Sequence, residues 1–149
     1  MSYRVISYVL LAAVAVASCG GEKKATPSET PTAAASSAAA VGGPLTPDPG
    51  GKIITVELIS DGAGNYFKPA EVRANHGDVV RFTLKVGVHN VHFLPDSNAG
   101  RTGYPQAASD FLQLPGQAYD LAVHLPAGIY YFQCDPHAAL GMKGHLIVQ

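Results

Sequence analysis

The chain has 149 residues, a formal net charge of −1 at pH 7, 47% hydrophobic residues and 14% charged ones. So little charge, so evenly balanced, excludes a nucleic-acid binder held by phosphate contacts and an acidic disordered solvator. Sixteen glycines and eleven prolines imply many turns, and two cysteines exclude a multi-bridge disulfide framework.

Residues 1–18 carry one charge, Arg4, ahead of an apolar run from Val5 to Ala17. The run is short and Ala-rich for a membrane span of about 20 residues. It ends in small residues, as a secretory signal peptide does. Val16-Ala17-Ser18-Cys19 resembles a bacterial lipobox, with Val where Leu is commoner. That implies a mature N-terminus at Cys19, lipidated on its sulfur and amine. More than one acyl chain makes such an anchor stable. The expected location is the bacterial cell envelope, on a periplasmic or extracytoplasmic face, with either membrane open. The plainer alternative is an ordinary signal peptide with Cys19 incidental.

Residues 19–51 read as a tether of Gly, Ala, Pro, Ser and Thr without an aromatic. Such a stretch buries too little apolar surface to offset its ordering entropy. Pro44, Pro47 and Pro49 stiffen its far end. As a coil it spans roughly 30 Å, and at full stretch on the order of 100 Å. It serves either to let a domain find partners or only to clear the lipid headgroups.

Residues 52–149 hold ten of the twelve aromatics and all six histidines. Ninety-eight residues suffice for one small core. Short strands are expected at 52–60, 72–74, 79–86, 88–94, 119–123, 129–134 and 145–148. In Val79–Val86, Val80, Phe82 and Leu84 alternate with Arg81, Thr83 and Lys85, the pattern of a half-buried strand. Tyr119, Leu121 and Val123 alternate likewise with Asp120, Ala122 and His124. The spacing predicts an antiparallel sandwich or barrel. The stretch from Pro95 to Pro115 has no period and is expected as a long loop with one helical turn.

The chemistry gathers in the last loop. Cys134, His137 and Met142 lie within nine residues, bracketed by Pro136, Gly141 and Gly144. His89 precedes Asn90 forty-five residues upstream. Two imidazoles, one thiolate and a weak axial thioether are the ligand set of a blue-copper electron-transfer site. Taken singly, a buried Cys is most often a small hydrophobe and a Met core filler; together at this spacing they point to a metal.

Residues 52–149 resemble the plastocyanin-like cupredoxins. The resemblance rests on Phe67-Lys68-Pro69-Ala70-Glu71-Val72 followed by Gly77-Asp78, on His89-Asn90-Val91, and on Cys134-x2-His137-x4-Met142 with Gly141 before the Met. It implies an all-β, eight-stranded Greek-key sandwich. It implies one copper ion on His89, Cys134, His137 and axial Met142, with Asn90 tying the first ligand strand to the loop beside Cys134. His137 would be the partly exposed electron entry point, collared by Pro136, Ala138, Ala139 and Leu140. The implied role is a monomeric one-electron carrier between redox proteins of cytochrome or oxidase type.

Of the other histidines, His92 is expected on the opposite face of its strand from His89. His76 sits in a turn, His124 on the polar side of its strand, and His145 beyond an axial position that Met142 already fills. Gln133 stands where plant and algal plastocyanins have a Tyr, which argues against an acidic docking port. A lipid-anchored bacterial respiratory carrier fits the front end better than a photosynthetic one. Gln133 and Asp135 flank Cys134, so the histidine wiring of copper oxidases and nitrite reductases is missing. A thiol nucleophile with His137 as base lacks any supporting constellation, and a binuclear copper centre lacks its second Cys. Copper storage or delivery would use the same ligands and stays open.

Overall fold

The computed structural model describes residues 44–149; the expected signal peptide, Cys19 and the expected tether up to residue 43 lie outside the described residues. Among the described residues seven strands form, β1 (Ile53–Asp61), β2 (Gly64–Lys68), β3 (Glu71–Ala74), β4 (Val79–Val86), β5 (Ala118–Ala122), β6 (Gly128–Gln133) and β7 (Lys143–Val148). They make a four-stranded sheet in the order β2-β1-β4-β5 and a three-stranded sheet in the order β3-β7-β6. The β1–β4 and β3–β7 pairs are parallel and the others antiparallel.

The inward faces of both sheets supply one core. Val80, Phe82 and Leu84 of β4 are wholly buried, as the alternation requires. Phe82 meets Phe67, Phe93 and Phe132 edge-on at centroid distances of 6.2, 6.5 and 5.2 Å. Fully burying each ring contributes roughly 1.5–3 kcal/mol, and the edge-to-face geometry adds to it. On the outer face, Arg81 grips Asp120 through two bonds of 2.8 and 2.7 Å, across paired positions of β4 and β5.

Hydrogen-bonded structure begins before Lys52. Leu45 N–H donates to Asp120 at 2.7 Å, and Asp48 N–H to the Gly77 carbonyl at 2.9 Å. The buried Asp78 carboxylate accepts from the backbone N–H groups of Lys52 (2.9 Å) and Asn75 (2.8 Å). Segment 44–51 is thereby strapped along the edge of the four-stranded sheet.

Seven strands replace the expected eight. The segment 88–94 forms no strand and pairs through two isolated bridges, His89 to Leu112 and His92 to Gln133, with Val91 bonded to Ser109 besides. Its pairing partners lie on different segments, so no continuous ladder forms. The loop from Pro95 to Pro115 carries one 3-10 turn, Asp96–Asn98. Buried Asn98 locks that loop to β6 by accepting from Tyr131 N–H (2.7 Å) and donating to the Tyr131 carbonyl (2.9 Å).

Candidate metal centre

Two segments build the site. The first leaves β4 through Gly87, whose φ of 102° disfavours a side chain, and delivers His89. The second comes after β6: Cys134 directly follows the strand and caps Asp135–Leu140, two 3-10 turns that present His137. Gly141, at φ 95°, reverses the chain so that Met142 returns beside Cys134. Cys134 N–H donates to the Met142 carbonyl at 3.2 Å, and Met142 N–H to the His137 carbonyl at 3.1 Å. The loop is closed by its own backbone.

His89, Cys134 and Met142 are fully buried, and His137 partly so. His89 Nδ1 lies 3.1 Å from His137 Nδ1; Cys134 Sγ lies 3.5 Å from the former and 3.4 Å from the latter. These three atoms form a nearly equilateral triangle. A point equidistant from them is about 1.9 Å from each, close to ordinary metal–imidazole bond lengths of about 2.0–2.1 Å. Among the described residues, these three form the one cluster of potential metal ligands so drawn together.

The electrostatics favour a neutral His89 and disfavour a bare thiolate at Cys134. Burial holds His89 below the ordinary histidine value, and the neighbouring His137 adds to the effect. The His89 ring is thus ready to offer a neutral nitrogen. Burial pushes the Cys134 thiol up, and the Asp135 charge pushes the same way; backbone N–H groups of Asn90 and His137 oppose them. A bound cation stabilises the thiolate outright.

A polar frame fixes the Cys134 loop. Asn90, nearly fully buried, donates through Nδ2 to Asp135 Oδ2 at 2.9 Å and accepts Asp135 N–H at 2.8 Å. Asp135 also accepts from Gln133 Nε2 at 3.0 Å and faces His92 Nδ1 at 2.9 Å. Burial alone would raise the Asp135 carboxyl, but these donors hold it below the usual range. His92 is therefore partly buried and engaged with Asp135 rather than free on the surface. His124 pairs with Asp48 at 3.0 Å and stacks on His76, and His145 packs against Tyr131.

A family model described as copper binding proteins of the plastocyanin/azurin family matches residues 54–149. The chain belongs to that family. This cupredoxin is 34% identical to the plastocyanin of Scenedesmus fuscus over 98 residues, 64% of this chain and 99% of that protein. It is 33% identical to plastocyanin A/B of Petroselinum crispum over 62% of this chain and 97% of that one. Among solved structures it is similar to oxidised plastocyanin of Dryopteris crassirhizoma, with TM-score 0.52, 31% identity, and coverage of 64% of this chain and all of that one. A Cu(I) amicyanin variant gives TM-score 0.52 and 28% identity, covering 65% and 82%. The cofactor of this cupredoxin is copper, and His89, Cys134, His137 and Met142 make its type 1 site.

Several residues around the site carry no signal in the sequence. Ser60, Gly87, Val88, Phe111 and Gln113 join Pro136 and His137 in lining an open groove over the exposed edge of His137. These five come from three segments distant in the chain from His137, so nothing in the local sequence marks them as its neighbours.

Proposed function

We propose that this protein is a one-electron carrier, tethered to a bacterial envelope membrane through lipidated Cys19, that shuttles electrons between redox proteins. The observation that carries this reading is the preassembled ligand triangle, with edges of 3.1–3.5 Å between buried or half-buried groups. Copper in such a site supplies the one-electron Cu(II)/Cu(I) couple. The protein's own part is to keep the ligands still. Asn90 and Asp135 clamp the loop after Cys134, and the backbone bonds of Met142 close it. A frame that moves little between oxidation states lowers the reorganisation that transfer must overcome.

Electrons would enter and leave through His137. What supports this is the apolar character of its neighbours: Pro136 and the exposed Val88 and Phe111 line the groove beside it, and Ala138, Ala139 and the 68%-exposed Leu140 follow it in the chain as candidates for a collar. Such a surface lets a redox partner approach closely and leave quickly. Proteins named plastocyanin and amicyanin share this architecture, which supports the reading further.

The test is voltammetry of the copper-loaded full chain, together with mixing against apo copper acceptors. Reversible one-electron waves with fast exchange and no copper loss support the carrier. Slow electron exchange with rapid copper transfer would replace it by storage or delivery. Palmitate labelling of cells expressing wild type and Cys19→Ala tests the anchor: label on the wild type alone supports it, and label on neither removes it.

A further inference from the structure

The imidazole of His89 has two ends. Nδ1 faces Cys134 and His137, so Nε2 carries the ring proton once metal is bound. That nitrogen lies 3.2 Å from the Val86 carbonyl and 3.0 Å from Ser60 Oγ. Ser60 in turn donates its hydroxyl proton to Asn65 Oδ1 at 2.5 Å. Ser60 and Asn65 face each other as a cross-strand pair of β1 and β2. The polarity is therefore set along the chain: Asn65 takes the hydroxyl proton, which leaves the Ser60 oxygen to accept from the ring.

The fold is shaped to allow this contact. In the β1–β4 ladder Leu58 pairs with Leu84, but Ile59 pairs with Val86, so Lys85 is an extra residue on β4. Bulges of this kind re-aim the side chains beside them. Here the bulge brings Val86 and Gly87 over Ser60. A Cβ on Gly87 would lie 2.6 Å from Ser60 Oγ and 2.7 Å from His89 Nε2. Only a residue without a side chain fits between β1 and the ring.

We propose that Ser60, oriented by Asn65, is a positioning and tuning residue for the His89 copper ligand. An acceptor at the far N–H of a metal-bound histidine fixes its tautomer and orientation and raises its basicity. A more basic imidazole favours Cu(II), the more highly charged ion, over Cu(I). Ser60 therefore holds the reduction potential down. The inference rests on copper at the site and on its redox role.

The experiment compares Ser60→Ala, Ser60→Thr and Asn65→Ala in the full chain, with and without copper. In the copper protein, Ser60→Ala keeps the blue band and shifts the Cu(II)/Cu(I) equilibrium about tenfold toward Cu(I), near 59 mV upward for one electron. Ser60→Thr restores the wild-type value, and Asn65→Ala moves it the same way by less. In the apo protein, nuclear magnetic resonance reads solvent exchange of the His89 Nε2–H, which Ser60→Ala speeds about tenfold and Ser60→Thr restores. A wild-type potential in Ser60→Ala, or a Thr variant that behaves as Ala does, overturns the role. Unchanged Nε2–H exchange in apo Ser60→Ala overturns it without any appeal to copper. A wild-type protein with no blue band counts against the carrier, and the apo exchange then decides on Ser60 separately.

Discussion

Asn90→Ala removes the side chain that, together with His92, ties the His89 segment to the Cys134 loop. Two bonds are lost, Nδ2 to the Asp135 carboxylate at 2.9 Å and Oδ1 from Asp135 N–H at 2.8 Å. A hydrogen bond to a charged group contributes about 1.5–3 kcal/mol and a neutral one about 1. The Asp135 side chain is 37% exposed, so water re-solvates part of what is lost. The expected cost is therefore at the low end, about 2 kcal/mol of apo stability. For a domain of this size that lowers Tm by roughly 8 °C. Copper affinity falls as well, by about 10–100-fold, the usual effect of removing a residue that orients metal ligands. Urea titration of the apo protein and competition with a copper chelator read the two effects separately. A loss below about 0.5 kcal/mol with unchanged copper affinity would refute the clamp.

Other expectations rest on the same geometry. Met142→Leu keeps copper and its blue colour but raises the reduction potential, because a weak thioether donor to Cu(II) would be lost; an unchanged potential argues against Met142 as a ligand. Gly144→Ala would set a methyl group against the Phe132 ring and 2.6 Å from the Ala70 carbonyl. It should cost about 1–3 kcal/mol by overpacking, and an unfolding midpoint equal to wild type contradicts that. Burial alone would raise the Asp78 carboxyl, but the N–H groups of Asn75 and Lys52 hold it below its ordinary value. Its contribution is complete above the unfolded carboxyl range near pH 3.9 and is lost as pH falls through the lower folded value. Urea midpoints from pH 7 to pH 3 should therefore fall less steeply for Asp78→Asn than for wild type; equal slopes refute the assignment.

Legibility in the sequence tracks locality. The alternation in β4 and β5 is readable because each strand buries one face, and the buried residues are Val80, Phe82, Leu84, Tyr119 and Leu121. The Cys134–Met142 loop is readable because three of its ligands are close in the chain. His89 needs the family resemblance, since nothing within its own segment separates it from His92. The segment 88–94 has the composition of a strand, but its backbone finds partners on two different sides and makes only bridges. Ser60 is invisible because its meeting with His89 depends on a one-residue bulge at Lys85 in another strand. The Asp135 frame is hidden for a similar reason: Asn90, His92 and Gln133 converge on it from two segments. Chain order carries contacts within a strand or a loop, whereas sheet register decides the rest.

The most direct test of the central claim is to load the full chain with Cu(II) and record visible absorption and electron paramagnetic resonance, with Cys134→Ser alongside. The wild type should show an intense blue thiolate-to-copper band with narrow copper hyperfine splitting, bleached by mild reductant and restored by oxidant, and Cys134→Ser should lose it. A pale tetragonal Cu(II) signal in the wild type, or a full blue band in Cys134→Ser, would contradict a copper centre built on His89, Cys134, His137 and Met142.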